Sequence, residues 1–218
     1  MSGSVHRLIW LAATGAALLI ACDRSPAPAP APVTARIDAA TAPADSTLAD
    51  EQARFDRERR PELVIAAMNL TDGSVVADVG AGTGQLTVHV ARAVGATGRV
   101  VATDIDASVL ELLRQRATVA KVADRVTTRV VAADEPGLEA ASYDAILLSE
   151  VDHYFADRER WLAAASTSLR PGGRIVITNR IHHRPGSVAA ASKAGLRLVS
   201  ESTPIPSHFI AVFAPAPR

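Results

Sequence analysis

The sequence contains one cysteine, Cys22, and no cysteine after it. A disulfide needs two cysteines and a thiolate cluster needs several, so neither can stabilise the region that follows. Neither is needed, because residues from about 50 to 214 are enough for one domain of ordinary size with its own core.

The chain also has no excess charge of either sign, because 23 Lys and Arg residues balance 23 Asp and Glu residues. Nucleic acids attract proteins that present a basic surface. The balance therefore favours a small-molecule substrate and predicts no nucleic-acid partner, and it leaves the oligomeric state open.

A long apolar run is missing as well. Residues 8–21 are apolar, but a helix that spans a bilayer needs about 20 such residues. His6 and Arg7 precede this run and Cys22 ends it in LIAC, which resembles the lipobox of bacterial lipoproteins. The resemblance implies a signal peptide over residues 1–22 and a lipid anchor on Cys22. The alternative is a chance cysteine after a short apolar anchor.

Alternating proline and alanine dominate the segment after the cysteine. Residues 23–50 offer too little apolar surface to fold, so the composition predicts a disordered linker. Residues 26–32 favour an extended polyproline spacer that holds a domain, residues 51–218, away from a membrane. Asp23 resembles the residue that retains some lipoproteins in the inner membrane, which implies the periplasmic face of that membrane.

The most informative motif is VADVGAGTG. It predicts a strand over residues 75–79, followed by Gly80, Gly82 and Gly84 at every second position. Glycine lets main chain approach a ligand without a Cβ in the way. A helix and a second strand over residues 99–103 follow, and Asp104 at the tip of that strand is suited to hold a ribose diol.

The glycine spacing distinguishes between two kinds of ligand. A dinucleotide site requires G-x-G-x-x-G, which lets a pyrophosphate rest on the helix N-terminus, whereas this chain has G-x-G-x-G. Asp78 precedes the loop by two residues, where its charge would repel a pyrophosphate and would suit a cationic amino acid. An NAD-binding oxidoreductase is therefore the less favoured alternative.

Together these residues resemble motif I of the class I S-adenosylmethionine-dependent methyltransferases. The resemblance extends over residues 55–214, with further strands expected at 125–134, 143–151, 169–178, 196–201 and 208–213. It implies an α/β, Rossmann-like, doubly wound sheet of seven mostly parallel strands with an antiparallel last strand. It also implies S-adenosylmethionine as cofactor, bound by Asp78, Gly80, Ala81, Gly82, Thr83, Gly84, Asp104, Ile105 and Asp134.

Acceptor-side residues in this fold usually follow the fourth strand. His153 is the candidate general base, because an imidazole titrates near neutral pH, and Asp152 or Glu150 is expected to orient it. The alternative is that this segment is a helix-capping loop beneath the pocket. No complete metal site is expected, because Thr178 and Asn179 stand where an Asp-Asn pair would be wanted.

Two further segments are rich in basic residues. His182 and His183 are expected in an extended loop, with rings on opposite sides that cannot chelate together. Arg57, Arg59 and Arg60 form either a solvated helix face or an entry segment over the donor's carboxylate.

The sequence as a whole therefore predicts methyl transfer to a small-molecule acceptor of unknown identity. A catalytically silent, nucleoside-binding lipoprotein module is the main alternative. The two strongest patterns conflict, because the donor is made in the cytoplasm and a lipoprotein of this kind faces away from it.

Overall fold

The structure is a computed structural model that describes residues 45–216. The predicted signal peptide, its Cys22 and most of the predicted linker lie outside the described residues. Within residues 45–216, no helix is long and apolar enough to cross a membrane.

Helices and strands alternate through most of the described chain. The helices are α1 (Asp45–Arg59), α2 (Pro61–Met68), α3 (Gln85–Ala93), α4 (Ala107–Val119), α5 (Arg158–Ser166) and α6 (Arg184–Lys193). The strands are β1 (Val75–Val79), β2 (Arg99–Asp104), β3 (Val126–Val130), β4 (Tyr143–Ser149), β5 (Leu169–Arg180), β6 (Leu196–Ile205) and β7 (His208–Pro215). Short 3₁₀ helices occupy Ala123–Arg125, Asp152–Tyr154 and Ile181–His183.

The strands form one sheet in the order β3-β2-β1-β4-β5-β7-β6. Strands β1 to β5 pair in parallel, whereas β7 pairs antiparallel with both β5 and β6. The predicted fold class is confirmed, including the antiparallel last strand.

Both faces of the central strands are buried, because helices cover the sheet on each side. Alternate residues of β4 belong to different cores: Ile146 and Leu148 pack with Trp161 and Leu162 of α5, and Leu147 packs with Val64, Met68 and Val90. Because strands β1 to β5 run parallel, their carboxyl ends meet at the same edge of the sheet, and the candidate site lies at this edge.

Two predicted boundaries need correction. Helix α1 begins at Asp45, so residues 45–50 are helical and do not belong to the linker. The Leu48 side chain is only 2% exposed, and its carbonyl accepts a hydrogen bond from Arg116 Nη1 at 2.8 Å. Strand β3 ends at Val130, four residues before the predicted end, and the chain continues as a loop.

Candidate functional site

The three glycines of the motif serve different purposes. A Cβ on Gly80 would lie 2.5 Å from Val151 Cγ2, and one on Gly84 would lie 2.5 Å from Leu113 Cγ. These two glycines therefore allow close packing inside the protein. A Cβ on Gly82 would meet no atom within 4 Å, and its φ of +54° is one that L side chains rarely adopt. The expectation that all three make room for a ligand is wrong for Gly80 and Gly84, and it stays a prediction for Gly82.

Asp104 fixes the shape of this loop. One carboxylate oxygen accepts a hydrogen bond from Gly82 N at 2.9 Å, and the other accepts one from Asp106 N at 3.1 Å. Each carboxylate oxygen has two acceptor sites, so both oxygens can accept a further bond from a hydroxyl group. Asp104 can therefore shape the loop and hold a ribose diol at the same time.

Two cavities meet at this edge of the sheet. The apolar cavity, of about 280 Å³, is lined mainly by apolar side chains, including Ile105, Val131 and Phe155, and also by Asp104. The polar cavity, of about 200 Å³, is lined by Asp78, Arg59, Ser149 and the loop residues Ala81, Gly82, Thr83 and Gly84. Gly80 and Glu150 line both cavities, so the two adjoin.

A larger cavity of about 750 Å³ lies elsewhere. It is lined by the first residues of β5 and the last residues of β7, with Arg170, Arg174 and Arg197. None of the site residues expected from the sequence lines this cavity, so its size does not make it the candidate site.

Asp134 is the cofactor residue that the structure places differently from the prediction. Its neighbours Ala133 and Glu135 line the apolar cavity, whereas Asp134 does not. Its carboxylate accepts a hydrogen bond from Ala156 N at 3.1 Å instead. Strand β3 ends at Val130, so Asp134 belongs to the loop after the strand and not to the strand tip that was predicted.

Asp78 is buried at the end of β1 with its carboxylate beside the first turn of α3. Burial raises the pKa of Asp78 to about 6, and the nearby charge of Asp104 also raises it. The Thr87 hydroxyl donates a hydrogen bond to Asp78 at 2.6 Å and opposes this shift. The site thus holds an acid whose ionisation a cationic ligand would favour.

An ion-pair cluster lies where the two cavities adjoin. Glu150 forms an ion pair with Arg59 of α1, and His208 Nε2 lies 3.2 Å from Glu150 Oε1. Burial opposes ionisation of Glu150, but Arg59 and His208 outweigh it and lower its pKa. Burial and Arg59 lower the pKa of His208.

Glu150 also has an unusual backbone conformation. Its φ is +54°, a costly value for a residue that is not glycine. Strain of this kind is concentrated at functional sites, where the surrounding structure enforces it. From the sequence, Arg59 is one of three arginines that could cover the donor's carboxylate and Glu150 is one of two acids that could orient His153, but no residue pattern predicts that Arg59 and Glu150 pair.

The candidate catalytic pair is arranged differently from the expectation. Asp152 is fully buried, and its carboxylate contacts Asn179 and Ser187. His153 contacts the same Asn179 through Nδ1, at 3.0 Å. Asp152 is thus too deep to touch an acceptor. Asn179, which was not part of the predicted catalytic pair, lies between Asp152 and His153.

The two adjacent histidines are also placed differently. His182 and His183 belong to a 3₁₀ helix, and their ring centroids lie 4.0 Å apart, so the expected extended loop with opposed rings is wrong. His183 stacks on His153 with centroids 4.1 Å apart and an interplanar angle of 14°. Among residues 45–216, no group of three or more His, Cys, Asp or Glu side chains is arranged to hold a metal ion.

Comparison with known proteins identifies this architecture. Residues 77–175 match the family model described as a methyltransferase domain. A SAM-dependent methyltransferase from Aquifex aeolicus aligns with 78% of this chain and 97% of its own, with a TM-score of 0.69 and 17% sequence identity. The fold is that of the class I methyltransferases. A geranyl diphosphate C-methyltransferase from Streptomyces coelicolor A3(2) also shares this fold, with a TM-score of 0.61, 15% identity and coverage of 78% and 82%.

Curated relatives match a shorter region. The ubiquinone/menaquinone biosynthesis C-methyltransferase UbiE of Enterobacter sp. (strain 638) is 33% identical over 105 residues, which cover 48% of this chain and 42% of that protein. The protein of the same name from Cellvibrio japonicus is 30% identical over 113 residues, with coverage of 52% and 45%. The chain therefore spans less than half the length of these relatives. The family match supports a methyltransferase domain over residues 77–175, the solved structures show its fold, and the prediction of S-adenosylmethionine as cofactor is confirmed.

Proposed function

We propose that this domain transfers the methyl group of S-adenosylmethionine, the donor, to a small-molecule acceptor. One observation carries the proposal: the apolar and polar cavities adjoin at Gly80 and Glu150, beside the open space at Gly82. A nucleoside joined to a charged amino acid matches this division into two parts.

The residues present fit the donor. The adenine would lie against Ile105 and Val131 in the apolar cavity, and the ribose would bind the Asp104 carboxylate. The amino acid part would lie in the polar cavity, where Asp78 suits its ammonium group and Arg59 suits its carboxylate. A Cβ on Gly82 would enter the space beside this loop, so glycine is required there for a reason besides its φ.

The chemistry needs little from side chains. When bound, the donor supplies an electrophilic methyl carbon; a bond from the acceptor to this carbon forms as the carbon–sulfur bond breaks, and the electron pair stays on sulfur. The protein's main contribution is to hold the two molecules in line at close range. Gly82, Asp104 and the Arg59–Glu150 pair supply that positioning on the donor side.

Carbon is the favoured methylation site on the acceptor. The names of the curated relatives and of the Streptomyces structure both specify C-methyltransferases, and this supports carbon methylation of a small molecule. The mostly apolar wall beside Tyr154 and Phe155 suits an acceptor with an apolar body.

We also propose that the domain is tethered to the cell envelope by a lipid on Cys22. The support is the leader pattern alone: a basic start, a short apolar run, LIAC and a Pro-Ala spacer. A silent module that binds the donor without turnover is the second candidate. It is favoured by the same pattern, because an exported domain faces away from the donor's supply.

Paired glycine variants test the donor site. Gly82→Ala should weaken donor binding about tenfold or more, which corresponds to ~1.4 kcal/mol, because a methyl group enters the space that the donor needs. Gly195→Ala is the matched control, because Gly195 also has a positive φ, of +78°, and open space around it. Both variants carry a similar backbone cost of about 1–2 kcal/mol in folding. Equal donor affinity of the two variants, measured by calorimetry, would exclude the loop as the donor site.

A further inference from the structure

A buried hydrogen-bond chain leads from Asp152 through Asn179 to His153. Asn179 lies near the end of β5 and, like Asp152, is fully buried. Its Nδ2 atom lies 2.6 Å from Asp152 Oδ1 and 3.0 Å from His153 Nδ1. The two hydrogens on this nitrogen are therefore enough for both contacts.

The orientation of the Asn179 amide is fixed from both ends. A carboxylate only accepts hydrogen bonds, so the group that faces Asp152 must be the NH₂ group. At the other end, Asn179 Oδ1 accepts a hydrogen bond from Arg180 N at 2.7 Å. Reversing the amide would place oxygen against carboxylate and NH₂ against a backbone N–H, so the reversed state is excluded.

The other contacts of Asp152 keep it in place. Its Oδ2 atom accepts a hydrogen bond from Ser187 Oγ at 2.6 Å and lies 3.4 Å from Arg158 Nε. The Asp152 carbonyl also accepts a bond from Arg158 Nε at 2.9 Å. Partners on α5 and α6 thus occupy Oδ2, and Oδ1 is left to Asn179.

A neutral imidazole carries one hydrogen, on one of its two nitrogens. Because Asn179 donates to Nδ1, this nitrogen must be the unprotonated one. We infer that Asp152 and Asn179 hold His153 as the Nε2–H tautomer, so that its free edge presents a hydrogen-bond donor and not a base. The expectation that His153 removes a proton from the acceptor is thereby replaced by a different role.

Neighbouring rings hold the imidazole plane. His183 stacks on His153, and the Tyr154 ring lies 4.0 Å away at an angle of 38°. Desolvation and the nearby His153 and His182 lower the pKa of His183. A fixed plane gives the Nε2–H group a fixed direction.

The role of this Nε2–H group in acceptor binding rests on the proposed function. His153 adjoins Val151 and Tyr154, which line the apolar cavity with Asp104. His153 itself does not line this cavity, so its Nε2–H group would meet an acceptor that extends past Tyr154, through an oxygen atom such as a carbonyl or an ionised hydroxyl. Asp152 and Asn179 are positioning residues, because they act only through His153. In this arrangement the acceptor's proton leaves to water.

The tautomer can be measured directly. The full chain is labelled with ¹⁵N-histidine and is free of S-adenosylmethionine and of any methyl acceptor. Two-bond ¹H–¹⁵N correlation spectra distinguish the protonated from the unprotonated ring nitrogens. The signals of His153 are identified by their loss in His153→Gln. We expect an unprotonated Nδ1 and a protonated Nε2.

Two variants make the test specific. Asn179→Asp replaces the NH₂ group that donates a hydrogen bond to His153 Nδ1 by a carboxylate oxygen that accepts one. The imidazole hydrogen should therefore move to Nδ1, and circular dichroism checks the fold. Ser187→Ala removes one of the two partners of Oδ2, together with the contact from Ser187 Oγ to the His183 carbonyl at 3.2 Å, and should leave the tautomer unchanged. A protonated Nδ1 in the wild-type protein overturns the inference, even if Asn179→Asp does not fold. Because no donor is present, failure here leaves the donor-binding test untouched, and failure of donor binding leaves the tautomer result valid.

Discussion

At the scale of single residues, we expect Asp78 to make the affinity for S-adenosylmethionine depend on pH. Its folded pKa, about 6, lies above the ordinary value of 3.8, so the buried acid holds its proton over that range. A cationic ammonium favours the ionised form, so donor affinity should rise as pH rises through about 6. Calorimetry between pH 5 and 7.5 measures this change, and Asp78→Asn should remove the step.

The same shift has a consequence for stability in the absence of donor. An acid with a raised folded pKa adds stability that is fully present below pH 3.8 and is lost as pH rises through about 6. A shift of this size corresponds to at most ~3 kcal/mol.

The control for the affinity prediction is Asp78→Asn, because Arg59, Glu150 and Asp104 also line the site and are unchanged in this variant. If its donor affinity follows the same pH curve as the wild type, Asp78 is not the cause.

Site residues can be predicted from the sequence where the local backbone requires a particular residue type. Gly82 and Asp104 follow from the spacing of one β-α-β unit, because strand ends and the loop between them are set by local sequence. Asn179 and Arg59 could not be predicted in the same way. Their roles depend on the approach of segments that are distant along the chain, as in the 2.6 Å contact between Asn179 and Asp152.

At the scale of elements, Arg116 of α4 connects α1 to the glycine loop, residues 80–84, through hydrogen bonds. Its side chain is almost fully buried and donates hydrogen bonds to the carbonyls of Leu48 and Thr83, at 2.8 and 2.9 Å. It also pairs with Glu51 of α1 at 2.7 Å. Helix α1 therefore depends on this arginine for its position beside the polar cavity.

We expect Arg116→Met to loosen α1 and to weaken donor binding. Each buried carbonyl left without a donor costs ~1–3 kcal/mol. Hydrogen exchange of the α1 amides should accelerate, while exchange in the central strands changes little. Arg114→Met is the control, because Arg114 is exposed on α4 and, among residues 45–216, its side chain pairs only with Glu111. Equal exchange of α1 in both variants would contradict this role of Arg116.

Element boundaries show the same division between local and distant causes. Strand β1 was predicted with its observed ends, because an apolar run followed directly by glycine marks them. Helix α1 was missed over residues 45–50, because their composition is polar and only the packing of Leu48 against the rest of the domain secures them. Strand β3 was predicted too long, because apolar residues after Val130 line a cavity instead of joining the sheet.

At the scale of the whole molecule, the proposed lipid tether and the proposed site for S-adenosylmethionine can be tested independently. Cys22→Ser should abolish lipid attachment and release the protein from the membrane fraction or leave it uncleaved. Lipid chains contribute ~0.8 kcal/mol per buried CH₂, so several chains hold a protein stably. Fractionation with mass spectrometry of the mature N-terminus measures this. A wild-type protein that is found in the cytoplasm with residues 1–22 intact would refute the tether and remove the conflict over donor supply.

We propose that the two adjoining cavities together hold S-adenosylmethionine. The most direct test is a calorimetric titration of the wild-type protein with S-adenosylmethionine, in parallel with NAD. We predict one donor bound per chain and no binding of NAD, because the glycine loop lacks the spacing for a pyrophosphate and Asp78 disfavours one. Binding of NAD in the absence of any binding of S-adenosylmethionine would contradict the account.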